Sequence, residues 1–160
     1  MTYICLLRGI NVSGQKLIKM EYLREVFGSM EFSQVRTYIQ SGNIVFESNE
    51  QSEKTLLDKI EKHLHTILGY PVVTFLRTQE YWELIIRNTP FAEKINNNDY
   101  KLYVTLFPSQ PAEDMKTKIL KLNTAEGNFF FNSRELYSMI KKNTSHDKLF
   151  PIILLKSSLK

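Results

Sequence analysis

From Val35 to Ser48 the chain reads VRTYIQSGNIVFES, a stretch that leaves its backbone little choice. Val35, Thr37 and Ile39 alternate with polar neighbours, the two-residue period of a strand with one face buried. Ser41-Gly42-Asn43 supplies turn chemistry and Ile44, Val45 and Phe46 form the return strand, so the segment reads as a β-hairpin. The flanking sequence offers cover for its apolar face. Before the hairpin, Met20, Leu23, Phe27 and Met30 recur at three- and four-residue steps, which predicts an amphipathic helix over Lys19 to Met30, with Gly28 near its end. After it, Leu56, Leu57, Ile60, Leu64, Ile67 and Leu68 share one helical face and Gly69 marks the stop. An alternating strand at Tyr3 to Arg8, with Tyr3, Cys5 and Leu7 pointing one way, and a strand at Val72 to Leu76 complete the order β-α-β-β-α-β. That order defines the split-βαβ or ferredoxin-like unit, whose helices cover one face of an antiparallel sheet.

The second half partly repeats it. A strand at Tyr100 to Phe107 leads through PSQP into a helix with Pro111 in its first turn, Glu113 and Asp114 near its positive end, and Met115, Ile119 and Leu122 inward. Phe129 to Phe131 and Leu136 to Ile140 then flank NSRE as a second hairpin. Between the halves, Thr78 caps a helix that buries Tyr81, Trp82, Ile85 and Ile86, and NTPFAEKINNND reads as a connector. The expected fold class is α+β: two ferredoxin-like (split βαβ) halves with antiparallel sheets and helices packed on one face. The first half is expected at 1–78, a helix and connector at 79–99, and the second half at 100–160. Element order, rather than residue identity, suggests a duplication.

Composition narrows the setting more than the activity. At 160 residues, 42% hydrophobic and 24% charged, the chain is ordinary for a soluble globular protein. Apolar runs such as Ile152 to Leu155 are far short of the roughly 18 residues that suggest a membrane span, and the first residues lack a basic segment followed by an apolar stretch and cleavage site. A cytoplasmic location and no membrane partner are expected. The lone Cys5 sits in an apolar strand, which favours a buried structural thiol over a nucleophile. Residues 1–80 hold nine basic and nine acidic side chains, and residues 81–160 hold twelve and eight, so the whole net charge of +4 lies in the second half. Lys116, Lys118, Lys121, Arg134, Lys141, Lys142 and Lys148 are scattered as a solvated surface would scatter them.

The topology turns the opening loop into a candidate site. In a β-α-β-β-α-β unit the first two strands are parallel with the third between them, so RGINVSGQK and QSGN meet at one sheet edge. Arg8 and Lys16 would pair with a negative charge there, and Asn11, Gln40, Ser41 and Asn43 would orient it. Gly9, Gly14 and Gly42 would let the backbone approach closely. The loop is a near miss to the phosphate-binding G-x-x-x-x-G-K-[ST] pattern: Gly9 and Gly14 have its spacing, but Gln15 stands at the lysine position and Lys16 comes one place late. A small anionic or phosphate-bearing ligand is the expectation. The competing reading is a tight connection in which the glycines only shape the backbone. In the second half, FPSQP falls beside NSRE in the same way.

The segments LLRGINVSGQK, KMEYLREVF and VRTYIQSGNIVFES together resemble an uncharacterised bacterial family, a domain of unknown function. Its members open with LLRGINVGGKN and carry a TYIQSGNVVF-like hairpin. The resemblance is specific through about Ser48 and implies a compact α+β protein with ferredoxin-like halves; it brings no activity, substrate or catalytic residues. Ser13 and Gln15 depart from the family's glycine and lysine. Where many relatives continue into a helix and an Arg-Asn-Trp segment, this chain runs NTSHDKLFPIILLKSSLK.

Other chemistries find little footing. His63 and His65 point different ways on a helix and His146 is distant, so no metal site assembles and no cofactor is expected. No serine sits in a G-x-S-x-G elbow, and Glu21 and Glu25 form an outward helix stripe. Without a general base or nucleophile, no enzyme class is assigned. A nucleic-acid-binding module is the alternative, using Tyr103, Phe129, Phe130, Phe131 and Tyr137 as stacking platforms, although no RNP signature strand is present. A protein-interaction module without catalysis is the third reading, and the oligomeric state is left open.

Overall fold

Tyr3, Cys5 and Leu7 take alternate positions of β1 (Thr2–Leu7) and are buried, while Thr2, Ile4 and Leu6 face the other side of the sheet. This strand is central. It pairs antiparallel with β3 (Asn43–Glu47) on one side and β4 (Thr74–Thr78) on the other, and β3 pairs with β2 (Ser33–Tyr38). The order β2-β3-β1-β4 is the split-βαβ arrangement. The computed structural model describes residues 1–12, 16–94 and 97–142. The chain divides into compact units at Met1–Arg87 and Asn88–Lys160.

Two helices cover the Tyr3 face. Helix α1 (Met20–Gly28) contributes Leu23, Val26 and Phe27, and α2 (Glu53–Leu68) contributes Leu56, Ile60 and Leu64. These side chains pack with Ile44, Phe46 and Leu76 in one cluster, where Phe46 lies 4.2 Å from Phe32 and 5.7 Å from Tyr3, ring centre to ring centre. Each such apolar side chain contributes about 1.5–3 kcal/mol on full burial, before chain entropy is charged against it. Helix α2 begins where Ser52 Oγ accepts the Thr55 amide and ends at Gly69, which takes φ +78°. A left-handed residue of this kind closes a helix without a Cβ penalty.

Several boundaries and facings differ from the sequence reading. Ile39 is not a strand residue: it opens the turn 39–42 with φ +48° and is largely exposed. Strand β4 starts two residues later than the valine pair suggests and runs through Arg77, which is 2% exposed. Burial of a cation inside a strand is what composition disfavours; here its guanidinium donates to Glu53 Oε1 at 3.3 Å and Leu76 O at 2.7 Å, and lies 5.5 Å from the Tyr81 ring. Tyr81 belongs to α3 (Gln79–Arg87), whose start is capped by Thr78 Oγ1 accepting the Tyr81 amide. In α3 Ile85 is buried while Ile86 is exposed, and in α2 Ile67 is also exposed, so the apolar stripes are narrower than expected.

After a short 3₁₀ turn at Ala92–Lys94, the second unit comprises β5 (Tyr100–Leu106), α4 (Glu113–Leu120), β6 (Gly127–Asn132) and β7 (Glu135–Lys141). Its antiparallel sheet has the order β5-β7-β6, the arrangement of β1, β3 and β2 in the first unit. Pro111 precedes α4 rather than opening it, and Ala112 is the capping residue. Ile119 of α4 packs with Phe107, Phe129 and Leu136. The Phe107 amide donates to Arg134 O at 2.8 Å, so FPSQP does lie beside NSRE. Lys118 pairs with Asp114 on a solvated face, whereas Lys116, paired with Glu113, keeps only 14% of its side chain exposed. The tail 143–160, with Lys148 and His146, lies outside the described residues.

Candidate functional site

Three backbone segments meet at the end of β1. The Leu7 amide donates to Gly42 O at 3.0 Å, joining the opening loop to the β2–β3 turn. The Arg8 amide donates to Val73 O at 2.9 Å, joining it also to the segment that leads into β4. The first junction follows from the order of elements in the sequence. The second has no motif to signal it, although β4 is antiparallel to β1 and must therefore begin where β1 ends.

Asn11 locks this arrangement. It takes φ +53°, which asparagine tolerates better than most residues. Its Oδ1 accepts the Ile18 amide at 2.7 Å, while Nδ2 donates to Ile18 O at 3.0 Å and to Gln40 O at 2.9 Å. Both amide hydrogens are thereby used, so Asn11 fixes the loop and is not a free hydrogen-bonding group for a ligand. Gly42 lies directly beneath: with φ +76°, a Cβ on it would come within 2.4 Å of Ile10 Cδ1. Gly9 shares the positive φ, but a Cβ there would meet nothing within 4 Å.

The charged and polar candidates fall into distinct states. Arg8 is exposed, and among the described residues its guanidinium has neither an ion pair nor a hydrogen bond. Lys16 is exposed with its ammonium 4.6 Å from the Tyr70 ring centre, a cation–π contact that restrains it at this edge. Tyr70 thus joins the site, unsignalled by any motif. Gln40 is exposed in the turn; Asn43 Nδ2 donates to Ser41 Oγ at 2.8 Å, a local contact that shapes the turn. Gly14 lies outside the described residues. The edge thus brings together two exposed cations, turn backbone with positive φ at Ile39 and Gly42, and the Asn11 hydrogen bonds.

Among the described residues, no nucleophile with an adjacent base lines this edge. Cys5 is fully buried and burial pushes its thiol far above the ordinary cysteine range, so it is not a nucleophile. Among the described residues a serine meets a histidine where Ser29 Oγ lies 3.1 Å from His63 Nε2, in a shallow groove of about 380 Å³ beside α2. Ser29 donates its own hydroxyl proton to Val26 O at 2.8 Å. That carbonyl competes with His63 for the one hydroxyl proton, and the direction of the Ser29–His63 bond depends on the imidazole tautomer. Glu21 and Glu25 are exposed as expected. Among the described residues no three His, Cys, Asp or Glu side chains cluster to hold a metal ion, and no helix is long and apolar enough to cross a membrane.

The fold and this edge define a class: an α+β protein with two antiparallel sheets, the first in split-βαβ order, and a loop edge that carries Arg8 and Lys16. The chain belongs to the DUF1697 family of proteins of unknown function, whose model matches residues 1–137. A solved structure described as the conserved bacterial protein SP0830 from Streptococcus pneumoniae is similar at 22% identity and a TM-score of 0.75, covering 92% of this chain and 81% of that one. That likeness concerns the fold. No curated protein sequence matches the chain.

Proposed function

We propose that the protein is a bacterial cytoplasmic module that binds a small anionic or phosphate-bearing ligand at the edge formed by the opening loop and the β2–β3 turn. The observation that carries this reading is the pairing of Arg8, exposed and without a partner among the described residues, with Lys16, steered to the same edge over Tyr70. A cation left without an acid on a rigid loop is what an anion would complete. Gln40 and the turn backbone would complement the charge, while Asn11, Ser41 and Asn43 hold the shape. We read the shared strand arrangement of the two units as the trace of a duplication in which this edge kept the glycines.

The test is thermal denaturation of the purified protein against sugar phosphates, nucleotides, inorganic phosphate and short RNA. A phosphate compound should raise the melting temperature of the parent by several degrees, and Arg8→Ala and Lys16→Ala should each reduce that gain while melting like the parent without ligand. Equal stabilisation of parent and both variants would remove the site from this edge. Stabilisation by RNA alone, with steep salt dependence, would favour the nucleic-acid reading instead.

A further inference from the structure

The anion site is ringed by apolar side chains that the fold leaves in water. Leu17 is 75% exposed, Tyr38 69%, Ile39 59% and Val12 56%. Backbone contacts gather them at one edge: Val12 and Leu17 flank the Asn11–Ile18 staple, Ile39 precedes Gln40, whose carbonyl takes the third Asn11 bond, and Tyr38 pairs with Asn43 across the turn. Scattered single apolar residues are normal on a surface, but several on adjoining loop tips call for a partner.

Ile39 adds a second reason. A β-branched residue at φ +48° is strained, and this one buries little of its side chain in return. Folding alone gives no cause to keep isoleucine at that position; an external apolar contact does.

Charge chooses the partner. Segments 8–12, 16–19, 38–43 and 69–73 contain Arg8, Lys16 and Lys19 and no aspartate or glutamate. Glu61 of α2 approaches from inside, where its carboxylate accepts the Thr74 amide. The chain's own residues 143–160 carry three lysines and one aspartate, a charge that does not complement such an edge. Val12, Leu17 and Ile39 stand in loops and Tyr38 ends β2 opposite Asn43, separate apolar points that suit a broad soft surface better than a peptide. Tyrosine, lysine and leucine together are the residues of a membrane interface.

We infer that this edge docks on an anionic bilayer, with Arg8 and Lys16 taking a lipid phosphate while Leu17, Tyr38, Ile39 and Val12 enter the headgroup layer; the inference rests on the anion-binding reading above. The sequence expectation of no membrane partner rests on the lack of a spanning segment, which does not bear on a surface contact. The lipid headgroup and a free phosphate share one chemistry, and the experiment separates them.

Full-length protein is sedimented with neutral phosphatidylcholine vesicles and with vesicles containing phosphatidylglycerol, and its melting temperature is measured with and without glycerol phosphate. The variants are Arg8→Ala and the pair Leu17→Ser with Ile39→Asn, the latter chosen because asparagine accepts a positive φ. The expected result is binding to the anionic vesicles only, weakened at least tenfold in each variant, with the apolar pair melting no lower than the parent and keeping its response to glycerol phosphate. Stabilisation by glycerol phosphate without vesicle binding overturns the bilayer inference and leaves the anion site standing. Failure of both overturns both, and equal binding to neutral vesicles overturns the docking on anionic lipid. Self-association abolished by the apolar pair, without vesicle binding, makes a second copy the occupant and overturns the lipid.

Discussion

Gly42 and Gly9 separate two reasons for glycine. Both have φ +76°, yet a Cβ on Gly42 would strike Ile10 while one on Gly9 would meet open space. Gly9→Ala should therefore cost about 1–2 kcal/mol, the left-handed penalty alone. Gly42→Ala should cost about 1–3 kcal/mol more, because a packed side chain must also move. Urea midpoints of the two variants check this; equal losses would mean that Ile10 yields freely. Asn11 supplies the sharper case. Asn11→Asp keeps an acceptor for the Ile18 amide but turns a carboxylate oxygen toward the carbonyls of Ile18 and Gln40. It should destabilise the fold by at least as much as Asn11→Ala, by about 2–3 kcal/mol, and should weaken any ligand binding at this edge. Cys5 gives a reporter for such measurements: as its thiol is buried and its ionisation suppressed, alkylation at pH 8 should proceed only as fast as the protein opens. Fast labelling of the native protein would show that β1 is not held shut.

At the scale of elements, α2 is the one whose limits are set most locally. Ser52 Oγ accepts the Thr55 amide, so Ser52→Ala should lower stability by about 1 kcal/mol and Ser52→Asp should restore most of it. Thermal melts of the three proteins decide it; no loss in the alanine variant would mean that water replaces the cap without cost. Such a cap, the terminal Gly69 and the apolar periodicity are all local signals, and they make α2 legible in the amino-acid sequence alone. The limits of β4 are not local, and its sequence misleads for that reason. Val72 and Val73 read as strand, but Val73 is spent on the Arg8 amide, and Arg77 enters the strand only because Glu53 and Tyr81, distant or later in the chain, receive it. Ile39 misleads for a related reason: alternation continues into a turn whose exposure follows from register. The candidate edge is legible as far as the topology reaches, since the order of elements places the opening loop beside QSGN. Tyr70 and the consumption of Asn11 are not, because a side chain's partners depend on three-dimensional closure that no spacing encodes.

Over the whole molecule, the two units differ in how much core they own. Met1–Arg87 closes around a cluster that runs from Tyr3 to Leu76 and draws on two helices and four strands. In Asn88–Lys160 the buried cluster described is Phe107, Ile119, Phe129 and Leu136. Burial must offset chain entropy in each unit separately, and small cores do so poorly. A polypeptide of residues 1–87 should thus unfold cooperatively on its own, whereas 88–160 should not. The boundary matters. A chain cut at 78 loses α3, and with it Tyr81 over the buried Arg77 and the buried Ile85. Leaving a buried cation short of its cover is among the costlier defects a core can carry, so the 1–78 polypeptide should be less stable than 1–87 by about 2–4 kcal/mol. Urea titrations followed by circular dichroism compare the three chains directly. A gradual, non-cooperative transition in 1–87 would show that its core needs the second unit; equal midpoints for 1–78 and 1–87 would show that α3 is dispensable to the sheet and that Arg77 finds water or Glu53 sufficient.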